Sequence, residues 1–100
     1  MDDTVLVVDG DEPTRTQLVE ALRRLGVRAL GVAAAVDAAA LLEALDADLT
    51  LVRGDADEAA LAPLATHGRL LRMDATAPFE TVVVAVLRAL GRPEEAALVN

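Results

Sequence analysis

Short apolar runs alternate with helix-like stretches along the whole chain, and this alternation constrains the fold more than any other feature. Thr4–Val8 (TVLVV) is β-branched and apolar, the pattern of a strand buried on both faces. Asp11 is placed to cap a helix with Glu12 and Pro13 in its first turn. Leu18, Leu22 and Leu25 then share one helical stripe, and Gly26 ends it. Residues 27–32 form a second, weaker strand. Residues 38–45 form a helix with Leu41, Leu42 and Leu45 inward. Residues 49–52 make a third strand, 57–65 a short helix ended near Pro63 to Gly68, and 69–73 a fourth strand. Residues 78–90 mix signals. Val82, Val83 and Val84 favour a strand, while Arg88, Gly91 and Pro93 mark a helix end, and helix is the reading taken. A chain of alternating strands and helices folds as a parallel sheet with right-handed crossovers, hence as one three-layer α/β domain.

Composition narrows the chemistry. One hundred residues, 54% hydrophobic, support one domain with a real core. That core is built from Val, Leu and Ala, because Phe79 is the sole aromatic residue. The net charge of −8 repels phosphate backbones, so no direct nucleic-acid contact is expected. Without cysteine there is no disulfide, thiolate chemistry or Cys-ligated metal, which fits a reducing cytoplasm. Acids at positions 2 and 3 stand where a secretory signal would be basic, and no apolar run reaches the roughly 18 residues of a membrane span. A cytoplasmic location with no membrane contact is therefore expected.

In parallel α/β sheets the functional crevice lies at the carboxyl ends of the strands. Asp9, Asp11, Arg53, Gly54, Asp55, Asp74 and Thr76 all follow strand ends, so they form the candidate site. Arg53, an arginine at the rim of an acidic crevice, is expected to pair with Asp9. Asp55, Asp57 and Glu58 read as a solvated loop and the acidic start of a helix. His67, the only histidine, lacks partners at metal-ligand spacing and reads as a surface residue. The last helix is apolar on nearly all faces. Val82, Val83, Val84, Val86, Leu87 and Leu90 are expected to serve both the sheet and a partner, as a homodimer contact or a docking face for another protein.

VLVVDGDEPTRTQLVEALRRLG (5–26), GVRALGVAAAVDAAALLEAL (26–45) and ADLTLVR (47–53) together resemble a response-regulator receiver domain. The likeness is good over the first half and poor beyond Gly54, where the chain is about one strand–helix unit short of the family's five. It implies a flavodoxin-like sheet of four strands, or five, flanked by helices, with residues 1–92 as the domain and 93–100 as a tail or linker stub. The family transfers phosphate to an aspartate that ends the third strand. Two acids after the first strand hold Mg²⁺, a Ser or Thr follows the fourth strand, and a Lys follows the fifth.

Residue by residue, this chain departs from that pattern. The first acid matches Asp9, and the second falls on Gly10. The acceptor falls on Arg53, which is cationic and not a nucleophile. No lysine exists in the chain, and the hydroxyl position falls on Asp74 or Thr76. The resemblance therefore implies a degenerate receiver. It would be a bacterial regulatory module that needs no phosphorylation, cofactor or metal, catalyses nothing, and acts through a protein partner or a second copy. Asp11 and Asp55 are the residues that would serve a displaced phosphorylation site. Two other readings stay open: a small phosphatase resembling the haloacid-dehalogenase family through the Asp9-x-Asp11 spacing, and a small-anion site around Arg53.

Overall fold

The computed structural model describes residues 3–44, 46–54, 58–66 and 69–92. In order these form β1 (Thr4–Val8), α1 (Glu12–Arg24), β2 (Arg28–Val32), α2 (Ala35–Ala44), β3 (Leu49–Arg53), α3 (Glu58–Thr66), β4 (Arg69–Met73) and α4 (Phe79–Ala89). All strand pairs are parallel, in the order β2-β1-β3-β4. Among the described residues the sheet has four strands. Asp55, Asp57, His67 and the tail 93–100 lie outside the described residues.

The central strands β1 and β3 are buried on both faces because helices cover both. On one face, Val5 and Val7 of β1 and Leu49 and Leu51 of β3 pack with Leu18 and Leu22 of α1 and with α4. On the other, Leu6, Val8 and Val52 pack with Ala38 and Leu42 of α2 and with Leu61 and Leu64 of α3. Side chains alternate sides along each strand, so one five-residue apolar run feeds both layers.

Helix α2 begins three residues earlier than the sequence pattern indicates. The amides of Asp37 and Ala38 donate to the Ala34 carbonyl at 3.1 and 3.2 Å. Ala33 to Ala35 carries no Ser, Thr, Asn or Asp to mark a start, and alanine continues a helix as readily as it precedes one. Its expected last residue, Leu45, lies outside the described residues.

Residues 79–89 are helical despite the run of valines. Burial outweighs strand propensity here, since Val82, Val83, Val86 and Leu87 all enter the core beside α1. The helix ends where Gly91 adopts φ +77°, which lets the Arg92 amide return to the Leu87 carbonyl at 2.8 Å. Arg92 then pairs with Asp3 at 2.7 Å and donates to the Leu25 carbonyl at 3.1 Å. These bonds join the end of α4 to the start of β1 and the end of α1.

The apolar residues of α4 are largely buried within the single chain. Val82, Val83, Val84, Val86 and Leu87 are at most 7% exposed within the single chain, and Leu90 is half-buried against the same core. Glu80, Thr81 and Arg88 form the exposed side of the helix. Its valines are core residues.

Leu87→Ala is accordingly expected to cost about 2–5 kcal/mol in urea unfolding, the range for a large-to-small core change. Leu87→Glu or Val86→Glu should abolish the cooperative transition. A folded Leu87→Glu variant with unaltered melting would show that this side of α4 is solvated.

Candidate functional site

Asp9 follows β1 directly, and its carboxylate is 5% exposed. Each of its oxygens has a partner. Oδ1 accepts from the Asp11 amide at 2.9 Å, and Oδ2 accepts from Arg53 Nη1 at 3.1 Å. Arg53, the last residue of β3, is itself only 14% exposed along its side chain. Its Nη2 donates to the Ala75 carbonyl in the turn after β4. One guanidinium thus joins the carboxyl ends of β1, β3 and β4.

Two residues that sequence reasoning passed over complete the arrangement. Arg15, in the first turns of α1, donates from Nη1 to the Asp9 carbonyl at 2.9 Å. It reaches there across β2 at Gly31. A Cβ at position 31 would lie 2.9 Å from Arg15 Cγ and 3.2 Å from Val19 Cγ2, so a side chain there would displace the arginine. The available signal was the glycine itself, since glycine inside a strand often marks a close approach.

Asp11 serves the helix. Its carboxylate accepts from the Thr14 amide at 3.3 Å and from the Thr14 hydroxyl, as an N-cap does. The Thr14 hydroxyl bond, more than any other influence, holds the Asp11 carboxyl below its ordinary range. The Thr14 amide adds to this, as do the charges of Arg53 and Arg15. Asp74 closes a turn after β4, accepting from the Thr76 amide and hydroxyl, both at 2.8 Å. Those two bonds, the amide first, lower its carboxyl, and Arg53 contributes a smaller pull. Thr76 turns its hydroxyl to Asp74 rather than to Asp9. Gly10 is exposed, and the nearest atom to a Cβ built on it is the Ala33 carbonyl oxygen at 3.9 Å, so a larger residue fits.

The chemistry of this set is that of a carboxylate neutralised from within the chain. A hard dication needs several oxygen ligands. Here the buried carboxylate is bound to a guanidinium, position 10 offers no side chain, and Asp11 and Asp74 are held by local turns. These donors do not fit Mg²⁺. Among the described residues no three His, Cys, Asp or Glu side chains gather in metal-binding range. A shallow cavity of about 340 Å³ opens beside the pair, lined by Gly54, Arg72, Met73, Asp74 and Ala75.

Breaking a buried pair strands a charge, which typically costs about 3–5 kcal/mol, whereas removing both members costs far less. Arg53→Ala should therefore lose stability in that range, and adding Asp9→Ala should restore part of it. Strict additivity of the two changes in urea unfolding would contradict the pairing. The Asp74 titration gives a second check. With its folded value depressed, Asp74 supports the fold above its ordinary value of 3.8, and that support fades as pH falls through the lower folded value. Followed by NMR, Asp74 should titrate below 3.8, and Thr76→Val should move its midpoint upward.

No protein-family model matches the chain, and no curated protein sequence matches it. Solved structures do. A response regulator from Thermotoga maritima superposes with TM-score 0.64 at 14% identity, covering 91% of this chain and 99% of its own. The signal receiver domain of a LuxO repressor protein from Vibrio parahaemolyticus gives 0.65 at 12% identity, over 100% and 98% of the two chains. A Burkholderia pseudomallei response regulator, solved with a phosphorylated aspartic acid, a calcium ion and citrate, gives 0.58 at 20% identity, over 99% of this chain and 75% of its own. At these identities the likeness is one of fold: the chain has the flavodoxin-like α/β fold of response-regulator receiver domains.

Proposed function

We propose that the chain is a receiver-like regulatory module that works without phosphorylation and without catalysis, by binding another protein. The observation that carries this reading is the guanidinium of Arg53 at the end of β3, 3.1 Å from the buried Asp9 carboxylate. In a phosphorylated receiver the corresponding place holds an aspartate, and a divalent ion offsets the charge of the pocket. The Burkholderia regulator, with its phosphoaspartate and calcium, contains both kinds of group. Here an arginine replaces the acceptor, and its fixed positive charge takes over the neutralising role of the ion.

Further features support the same reading. Gly10 removes the second metal-binding acid, and the sequence has no lysine to hold a phosphoryl oxygen. Arg53 also donates to Ala75, so the turn after β4 is tied in one arrangement with no phosphoryl group to pull it. Signalling by such a module rests on its surface and on the amount of protein present, not on a two-state pocket. The same contacts weigh against the two other readings. Asp11, which a phosphatase would need as proton donor, is held at the N-terminus of α1. Arg53, which an anion site would need, is already paired.

Incubation with acetyl phosphate, followed by intact mass spectrometry, tests the proposal. The mass should stay that of the unmodified chain. A stable phosphoryl adduct that survives Asp55→Ala would overturn the role given to Arg53. An adduct lost on Asp55→Ala would place the acceptor in the loop after β3 and overturn phosphorylation independence equally.

A further inference from the structure

β2 is an edge strand of the sheet. It pairs with β1 on one side, and among the described residues no strand pairs with its other side. In a parallel ladder, alternate residues turn both backbone groups to the neighbouring strand, and the residues between them turn both away. The Arg28 amide donates to the Asp3 carbonyl, and the Val32 carbonyl accepts from the Asp9 amide, so Arg28, Leu30 and Val32 face β1. Ala29 and Gly31 therefore direct their N–H and C=O groups off the edge.

That edge is not bare. Arg23, in the last turn of α1, donates to the Ala29 carbonyl from Nε at 3.1 Å and from Nη2 at 3.0 Å. One guanidinium thus holds one outward acceptor with two bonds. About two turns earlier on α1, the stem of Arg15 lies over Gly31 on its way to the Asp9 carbonyl, with Cγ 2.9 Å from the point a Cβ would occupy.

Strand edges invite pairing, and a second copy of β2 is a good match for this one. Set antiparallel about Leu30, RALGV places Leu30 on Leu30, Arg28 opposite Val32 and Ala29 opposite Gly31. No arginine then stands opposite an arginine, so charge along the strand does not prevent the pairing. Ala29 and Gly31 form the hydrogen-bonded pairs, because they carry the outward groups. Each pair needs the Ala29 carbonyl to accept from the Gly31 amide of the second copy. Arg23 already occupies that oxygen and the space beside it.

We propose that Arg23, with the stem of Arg15 beside it, is a strap that closes the β2 edge against a second copy of this chain. The strap, rather than charge along the strand, keeps β2 from extending the sheet. It lies on the strand edge and not in the Asp9–Arg53 pocket, so the proposal stands whether or not that pocket takes phosphate.

The test uses the full chain. In wild type, NMR should show the Arg23 Nε proton exchanging about tenfold or more slowly than that of Arg24, its exposed neighbour in the same turn. In sedimentation equilibrium, Arg23→Ala should self-associate with a dissociation constant about tenfold or more tighter than wild type, because a symmetric pair no longer has to release one strap from each copy. It should do so although the change makes an acidic chain more negative, which opposes association. Arg24→Ala removes the same charge, leaves the bonds to Ala29 intact, and should leave association unaltered. In Arg23→Ala, the amides of Ala29 and Gly31 should gain protection from hydrogen exchange as concentration rises. Arg23→Gln, read alongside in case the alanine variant perturbs folding, should tighten association by a smaller factor. The proposal is overturned if the Arg23 Nε proton of wild type exchanges as fast as that of Arg24, a reading that needs no variant. It is overturned if neither Arg23 variant associates more tightly than Arg24→Ala, or if the new association leaves Ala29 and Gly31 unprotected. Concentration-dependent protection of Gly31 in wild type would overturn it too, since a second copy would then already pair with the edge.

Discussion

The ion pair between Asp9 and Arg53 is the contact on which the upper end of this domain depends. Two charges taken out of water are stable there only because their remaining hydrogen-bonding groups are also satisfied. Asp9 accepts the Asp11 amide through its second oxygen, its own amide donates to the Val32 carbonyl at 3.1 Å, and its carbonyl accepts from Arg15. Arg53 extends the connection to Ala75. All four strands and the N-terminus of α1 thus meet at these two residues. Gly54, at φ +91°, turns the chain away directly after Arg53, and its amide donates to the Met73 carbonyl at 2.9 Å. Only glycine adopts that backbone angle without strain, so the exit from β3 is fixed beside the pair.

The shortened sheet has consequences at both its faces and its edge. The crossover from β4 leads to α4 on the face that α1 occupies, so each layer holds two helices. Two helices per layer cover the four described strands, and the valines and Leu87 of α4 are buried in that arrangement. Among the described residues β4 is the edge strand, and its Arg69 donates to the Ala89 carbonyl at the end of α4.

Much of this was legible in the sequence, for physical reasons that differ by residue. Thr4–Val8 announced a fully buried strand because it has no polar alternation, and residues 69–73 were delimited correctly by composition alone. Asp11 was readable as an N-cap, being an aspartate followed by Glu12 and Pro13. The approach of Arg53 to Asp9 was inferable from strand order, since adjacent parallel strands bring their carboxyl ends together. The start of α2 was not legible, because alanine gives no boundary signal. The fate of α4 was not legible either. An all-round apolar helix must be covered, but pattern alone does not say whether the same chain or another molecule covers it. Arg15 and Gly31 escaped because their contact joins a helix to a strand in register, a relation that no local spacing encodes.

If Arg53 supplies the positive charge that a bound ion supplies elsewhere, replacing it by acid should make the fold depend on metal. Gly10→Asp with Arg53→Asp puts carboxylates at both positions around Asp9, and the space at Gly10 admits the first. Like charges gathered there oppose folding at neutral pH until a cation offsets them. The direct measurement is thermal melting of wild type and this double variant, each in chelator and in excess Mg²⁺. The variant should melt below wild type in chelator and recover with Mg²⁺, a gain of about 2.7 kcal/mol at a hundredfold excess over Kd. Wild type should melt identically in both. A variant indifferent to Mg²⁺ would mean that positions 9, 10 and 53 do not converge on one cation site, and the role assigned to Arg53 would fail.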